Sequence, residues 1–224
     1  QEHFNHASWH SWPAAFTCPK TPEVARFAVE NAAGVRFHLW LQFEADRQLA
    51  EAAKPLRACG APGLYRDLAV GVNSEGADTW IDPRAYAIGS RVGAPPDPLG
   101  PMGQDWGLPP LNPRTLREVE YGPFIDMLRA NMRHAGALRI DHAMALQHIF
   151  WIPQGFDACH GLYMRYPMDD LMGILALESH RNQCLIIGED LGTVPEGFRE
   201  RMAEENILSY RLLYFERWDS GLFK

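Results

Sequence analysis

The sequence predicts an α/β fold in which parallel strands close, wholly or partly, into a barrel. Strand-like and helix-like segments alternate along most of the chain, which is the pattern of strands joined by crossover helices. Two strand-like runs, residues 138–140 (LRI) and 185–188 (LIIG), each lead into a carboxylate, Asp141 and Glu189. A parallel barrel uses strands of this kind to deliver acidic side chains to its open end, where barrel enzymes have their active sites.

Composition excludes several classes of protein. The formal net charge of −7 gives no basic surface for nucleic acid. No apolar run approaches the roughly 18 to 20 residues that cross a bilayer, and the N-terminus has neither the basic nor the apolar region of a secretory signal. The four cysteines lack the paired spacing of a zinc site. We therefore expect reduced thiols in a cytoplasmic protein that binds neither nucleic acid nor a membrane.

The first third of the chain predicts helices before the first barrel strand. Residues 1–35 are rich in aromatic side chains and are predicted to form a helical lead-in or insertion. Thr21 is the predicted N-cap of a helix in this segment, with proline at the first helical position. Residues 36–41 read as a strand or a buried aromatic turn. Apolar residues then recur at helical spacing over 42–59, and Gly60 ends that helix.

A buried strand over residues 63–72, with Asp67 inside it, is followed by a long irregular segment, residues 73–113. Seven prolines and four glycines between positions 93 and 113 exclude helix and central strand there. A loop of this length in a compact domain is usually functional. We therefore expect it to cover a substrate.

The remaining segments alternate between helix and strand. Two capping boxes, Thr115-x-x-Glu118 and Thr193-x-x-Glu196, predict helix starts. In chain order the predicted elements are a helix over 115–135, strands over 137–140 and 149–152, a helix over 169–182, a strand over 184–188, a helix over 193–205 and a strand over 209–215.

Arg139 and Asp141 lie two residues apart on a predicted strand, so their side chains share one face. An adjacent arginine favours the ionised form of a carboxylate, and an ionised carboxylate at a barrel mouth can attack an anomeric carbon. The alternative is a buried ion pair that only holds the barrel together.

Glu189 follows a continuous apolar strand at its carboxyl end. Burial against apolar neighbours raises the pKa of a carboxyl group, which is what a general acid requires near neutral pH. The alternative is a charge that complements the dipole of the following helix. Asp190 points to the opposite face and reads as a helix-start or supporting group.

Two motifs together resemble a known family. Residues 139–142 (RIDH), followed about fifty residues later by 188–195 (GEDLGTVP), resemble the amylomaltase family of 4-α-glucanotransferases in the α-amylase-like superfamily. Further segments agree from about Phe37 to the end of the sequence: 63–71 (GLYRDLAVG), 77–80 (ADTW), 93–97 (GAPPD), 103–109 (GQDWGLP) and 175–181 (LALESHR). The resemblance implies a TIM (β/α)8 barrel.

The resemblance also implies a role for each candidate residue in a retaining double displacement. Asp141 is then the nucleophile and Glu189 the general acid/base, with Arg139 holding Asp141 and the reacting sugar. The other implied substrate-binding residues are His142 beside the donor sugar, Asp67 on an earlier strand, and Asp97, Gln104 and Trp106 in the covering loop. Donor and acceptor are α-1,4-glucans or maltooligosaccharides, and the chemistry requires no metal or cofactor.

One departure from the family limits this reading. The family uses a third carboxylate, an Asp after a His on a later strand, and no His-Asp pair follows Glu189 here. We therefore expect residues 1–224 to be an internal fragment with the middle four strands of an incomplete barrel, whose open strand edges favour self-association. A hydrolase using the same two carboxylates, an unrelated barrel enzyme, and an inactive glucan-binding piece are the alternatives.

Overall fold

The computed structural model describes residues 1–98, 100–213, 216–218 and 221–223. In chain order its helices and strands are α1 (Pro22–Glu30), α2 (Ala32–Ala58), β1 (Leu64–Leu68), α3 (Ala77–Ile81), β2 (Ser90–Ala94), β3 (Gln104–Asp105), α4 (Pro113–Glu118), α5 (Gly122–Met132), β4 (Ala135–Ile140), β5 (His148–Pro153), β6 (Leu162–Arg165), α6 (Met168–Asn182), β7 (Leu185–Gly188), α7 (Phe198–Glu204) and β8 (Leu208–Ser209). The chain divides into two compact units.

The unit formed by residues 56–70, 122–149 and 164–224 contains a four-stranded parallel sheet of order β1-β4-β7-β8. Strands that follow one another in this order are joined by helical segments, which confirms the predicted α/β fold with parallel strands. Within the described residues no fifth strand joins this sheet, so it forms an open stretch of barrel wall. The predicted last strand is shorter than expected: β8 ends at Ser209, and residues 214 and 215 lie outside the described part.

One face of this sheet is buried against helices. Along β4 the side chains of Leu138 and Ile140 are buried, whereas Arg139 between them is on the opposite face. Helices α5 and α6 pack against each other, and α5 also packs on β1 and β4. The buried apolar side chains of these helices are Phe124, Leu128, Met132, Leu171, Met172 and Leu175. Removing this apolar surface from water is the main stabilisation of the unit.

Two glycines allow β1 and β4 to begin side by side. A Cβ atom on Gly136 would overlap the carbonyl of Pro62 and the amide of Gly63. Gly63 itself has a φ of +129°, a conformation that L side chains rarely adopt. Gly136 lies inside β4, so the helix predicted over 115–135 ends before it, at Met132.

Glu178 of α6 is 2% exposed and is held by two arginines. Arg129 of α5 donates through Nε and Nη2 to both carboxylate oxygens at 2.9 Å, and Arg181 donates through Nη1 at 2.8 Å. The hydrogen bonds from Arg129 lower the pKa of Glu178; burial opposes this effect, and Arg181 together with both arginine charges reinforces it. The ion pair therefore joins α5 to α6.

The other unit, residues 1–55, 71–121 and 150–163, contains a mainly antiparallel sheet. Its strand order is β3-β2-β5-β6, and β2 pairs antiparallel with both β3 and β5. Residues 73–113 contribute α3, β2 and β3 to this unit, so regular elements interrupt the predicted irregular segment. The two-residue β3 lies at the edge of this sheet. An edge position fits the many prolines around it, because proline has no amide hydrogen to donate to a second neighbouring strand.

Three local predictions were wrong for identifiable reasons. The helix predicted from Thr115 to about 135 is two helices, because Pro123 breaks the hydrogen-bond ladder and Glu120 and Tyr121 are left-handed. The N-cap of the first helix, α4, is Asn112, whose side chain accepts a hydrogen bond from the Arg114 amide. The helix predicted at Thr193 begins instead after Gly197, which has a φ of +76° in a turn closed by Phe198 N–H and the Pro195 carbonyl.

The third error concerns residues 36–41, which are exposed and helical, inside the 27-residue α2. Consecutive aromatic and apolar residues favoured a strand. The residues after Leu39 are mostly good helix formers, however, and residues 36–41 join them in one continuous helix. No helix in the described part of the chain is long and apolar enough to cross a membrane. All four cysteines are free, and burial raises the pKa of the Cys184 thiol to about 11.

Gly136→Ala is expected to lower the free energy of unfolding by about 1–3 kcal/mol, because the new methyl group overlaps backbone atoms. Gly173→Ala is the matched control. Its Cβ meets nothing within 4 Å inside α6, so it should stabilise by about 0.5–1 kcal/mol. Urea unfolding measures both variants, and equal effects would contradict the close approach of β1 and β4.

Glu178→Gln is expected to lower the free energy of unfolding by about 2 kcal/mol at pH 7. Folding lowers the pKa of Glu178. Its ionised carboxylate therefore contributes fully to stability above pH 4.5, the ordinary pKa, and this contribution is lost as the pH falls through the lower pKa of the folded state. Urea unfolding of both proteins between pH 7 and pH 3 tests this. A difference that stays constant down to pH 3 would contradict the ionic role of Glu178.

Candidate active site

The register of the parallel sheet brings the predicted carboxylates together. Asp67 of β1 is in register with Arg139 of β4, and Ile140 is in register with Gly188 of β7. Asp141 and Glu189 are therefore the next residues along two adjacent strands. The Asp141 amide donates to the Leu68 carbonyl and the Glu189 amide to the Ile140 carbonyl, so the ladder continues through both. Neighbouring strands lie about 4.8 Å apart, which makes these two side chains neighbours on one face.

Arg139 joins two carboxylates. Its Nη1 donates to Asp67 Oδ1 at 2.7 Å, and its Nη2 pairs with Asp141 Oδ1 at 2.9 Å. Burial opposes the charge of this guanidinium, but the hydrogen bond to Asp67 and the two negative charges raise the pKa of Arg139. A face of the guanidinium lies over the ring of Tyr210, with 5.2 Å between Cζ and the ring centroid. The arginine is thus fixed on three sides.

The backbone holds the Glu189 carboxylate. Glu189 is 9% exposed, as its position after an apolar strand predicted. Its Oε2 accepts from the His142 amide at 2.9 Å, and its Oε1 accepts from the Leu191 amide at 3.1 Å. The Ala143 amide donates to the Glu189 carbonyl, so the turn after β4 and the end of β7 are tied together. Both carboxylate oxygens therefore have fixed positions.

His142 turns the chain at the end of β4. Its φ of 49° and ψ of 58° are left-handed, and they lead from the strand into a short 3-10 helix, Ala143–Leu146. Burial of its ring lowers the pKa of His142, an effect that Asp141 opposes and His148 reinforces. The imidazole is therefore neutral at neutral pH.

Two further residues belong to this site: Asp190, which the sequence analysis took as a helix-start or supporting group, and Tyr210, which it did not single out. Asp190 is 1% exposed, and its carboxylate accepts from Ser209 Oγ, the Tyr210 amide and Arg199 Nε. Tyr210 follows β8 as Asp141 follows β4. An aromatic residue directly after a strand was the available signal, but its relation to Arg139 depends on strands far apart in sequence.

The predicted covering-loop residues lie in the other unit. Gln104 Oε1 accepts from Trp106 Nε1 at 3.0 Å, which orients the indole ring. Asp97 closes a turn, because its Oδ1 accepts from the Gly100 amide. The structure thus brings Asp67, Arg139, Asp141, His142 and Glu189 together in one unit and describes Asp97, Gln104 and Trp106 within the other. No cluster of potential metal ligands occurs among the described residues.

Fold and site define a class of enzyme. Two carboxylates at the carboxyl ends of adjacent parallel strands, with an arginine beside one, are the arrangement of a barrel enzyme that processes glycosidic bonds. The family profile described as 4-alpha-glucanotransferase, glycosyl hydrolase family 77, matches residues 1–224. The chain belongs to this family.

Individual relatives agree with this assignment. The chain is 45% identical over 222 residues to a 4-alpha-glucanotransferase of Haemophilus influenzae, covering 96% of this chain and 32% of the relative. The amylomaltase structure from Corynebacterium glutamicum superposes with a TM-score of 0.79 at 39% identity, over 83% of this chain and 26% of that one. The Streptococcus agalactiae amylomaltase, in complex with acarbose, has a TM-score of 0.86 at 20% identity, over 98% of this chain and 46% of that one, and shows the shared fold. The chain spans about a third of the length of its curated relative from Haemophilus influenzae.

An NMR titration tests the environment of His142. We expect its ring signals, assigned by comparison with a His142→Gln variant, to titrate with a midpoint below 6.5. In Asp141→Asn the midpoint should fall further, because an anion that favours the imidazolium is removed. A midpoint at or above 6.5, or an upward movement in Asp141→Asn, would contradict the arrangement of His142 beside Asp141.

Proposed function

We propose that the whole protein is a 4-α-glucanotransferase, which moves segments of α-1,4-glucan from one maltooligosaccharide to another. The observation that carries this proposal is the side-by-side position of Asp141 and Glu189 at the ends of β4 and β7, in a chain of the 4-alpha-glucanotransferase family. A retaining mechanism needs two carboxyl groups about 5–5.5 Å apart, and the spacing of about 4.8 Å between neighbouring strands supports such a separation.

In the first half of the reaction, Glu189 protonates the glycosidic oxygen as Asp141 attacks the anomeric carbon. The bond between that carbon and the leaving glucan breaks, and a β-glucosyl ester forms on Asp141. The contact with Arg139 holds one oxygen of Asp141 and leaves the second oxygen, which is free of that contact, to attack the sugar. The two backbone amides hold the Glu189 carboxyl group in place while its proton is transferred.

In the second half, Glu189 removes a proton from the 4-hydroxyl of an acceptor glucan, which attacks the ester and restores the α-linkage. Transfer rather than hydrolysis requires a bound acceptor at high effective concentration and few competing waters. We assign these tasks to residues 73–113, with Asp97, Gln104 and Trp106 contacting the glucan. A flat indole ring suits the apolar face of a pyranose, and the hydrogen bond to Gln104 orients it in advance.

The proposal also covers the role of His142, the cofactor requirement, the location of the protein and its self-association. We place His142 beside the donor sugar, where its neutral ring can hydrogen-bond a hydroxyl group. The reaction as written balances without a metal or an organic cofactor. Four free cysteines support a reducing, cytoplasmic location. Exposed apolar side chains on strands of the parallel sheet, Tyr65, Leu185 and Leu208, support self-association of the chain when it is isolated.

Maltotriose is the substrate that tests the function. The whole protein should convert it to glucose together with maltopentaose and longer chains, whereas a hydrolase would give only shorter products. Asp141→Asn should lose more than about 1000-fold of the turnover, because no ester can form. Glu189→Gln should fail on maltotriose yet retain activity on a maltosyl fluoride, whose leaving group needs no protonation.

Asp126→Asn is the matched control, since it removes an exposed carboxylate on α5. It should behave as the wild type on both substrates. Normal turnover in Asp141→Asn would overturn the nucleophile assignment, and glucose without longer chains in the wild type would favour the hydrolase.

A further inference from the structure

Arg139 has a contact that its two ion pairs do not account for. Its edge nitrogens bind Asp67 and Asp141, while its flat face lies over Tyr210. The hydrogen bonds fix the direction of the nitrogens, but they permit the guanidinium plane to tilt. An aromatic ring against that plane restricts the tilt and attracts the cation.

The position of Tyr210 is in turn fixed by a buried acid. The Tyr210 amide donates to the Gly188 carbonyl at 3.0 Å and to Asp190 Oδ1 at 3.1 Å. Ser209 Oγ lies 2.8 and 2.7 Å from the two oxygens of the same carboxylate. Strand β8 pairs with β7 through Leu208 and Ser209, and the side chain of Asp190 extends this attachment to the Tyr210 amide.

Asp190 is itself immobilised. Arg199 of α7 donates through Nε to Asp190 Oδ2 at 2.6 Å and through Nη2 to the Asp190 carbonyl at 2.7 Å. Burial alone would raise the pKa of Asp190, but Ser209, Arg199 and the Tyr210 amide together lower it, so the carboxylate is charged. A charged group that is 1% exposed must keep these partners, which makes the network stiff.

We propose that Asp190 and Tyr210 are positioning residues of the carboxylate site. Asp190 fixes the end of β8, Tyr210 presents its ring to the guanidinium of Arg139, and Arg139 holds Asp141 in line with the anomeric carbon. This inference rests on the proposed function, and it gives a role to the acid that follows Glu189. A role confined to stability would leave the reaction of the folded enzyme unchanged.

The test uses three variants of the whole protein. Tyr210→Phe keeps the ring and should retain kcat within about twofold. Tyr210→Leu removes it and should lower kcat for transfer from maltotriose about tenfold, with KM within about twofold, because the loss falls on the alignment of Asp141. Asp190→Asn replaces one carboxylate oxygen with an NH2 group, which cannot accept the hydrogen bonds from Ser209 and Arg199. It should also lower kcat about tenfold.

Glu178→Gln is the matched control for Asp190→Asn. It also neutralises a buried carboxylate paired with arginine, but it lies between α5 and α6, away from Arg139. It should lower the melting temperature while its kcat stays at the wild-type value. If Tyr210→Leu kept wild-type kcat, or if Glu178→Gln lost as much kcat as Asp190→Asn, the positioning role would be wrong.

A crystal structure of Tyr210→Leu gives a readout that does not depend on activity. We expect the guanidinium of Arg139 to rotate and its 2.9 Å contact with Asp141 to lengthen or break. An unchanged Arg139 would overturn the inference even if the wild type transferred glucan. Failure of the proposed function is distinguishable, because it would appear as a wild type without transfer or as an Asp141→Asn variant with normal turnover.

Discussion

The guanidinium of Arg139 is the interaction on which the site depends. It lies between Asp67 and Asp141, two carboxylates from neighbouring strands that would repel each other without it. Because the arginine binds one oxygen of each, its positive charge offsets their mutual repulsion and fixes the orientation of both carboxylates. Asp141 keeps a partly exposed carboxylate, which is what an attacking group requires.

This interaction exists only because the strands of one sheet are in a particular register. Asp67 lies opposite Arg139, and Asp141 and Glu189 both follow the register pair of Ile140 and Gly188. A slip of one residue would bury these charged groups against α5 and α6 and expose Leu138 and Ile140. The apolar face that stabilises the unit therefore also selects the arrangement of the polar face. Packing at Gly63 and Gly136 lets the first two strands reach that register without steric overlap.

The sequence was informative where a signal is local. Strand-like runs that end in an acid predicted β4 and β7 and the two carboxylates, and the spacing of Arg139 and Asp141 predicted their pairing. Local signals failed where a competing residue intervened: Pro123 divided a predicted helix, and the turn at Gly197 displaced a predicted N-cap. The ring of Tyr210 under Arg139 could not be predicted, because it joins residues about seventy positions apart through a two-residue strand.

Identification of the residue that carries the sugar tests the central claim most directly. The whole protein with Glu189→Gln would be incubated with a 5-fluoro-maltosyl fluoride, digested and mapped by mass spectrometry. The account predicts a glycosyl adduct on the peptide that contains Asp141, and fragmentation should place it on that carboxylate. An adduct on Asp67 or Asp190, with Asp141 unmodified, would contradict it.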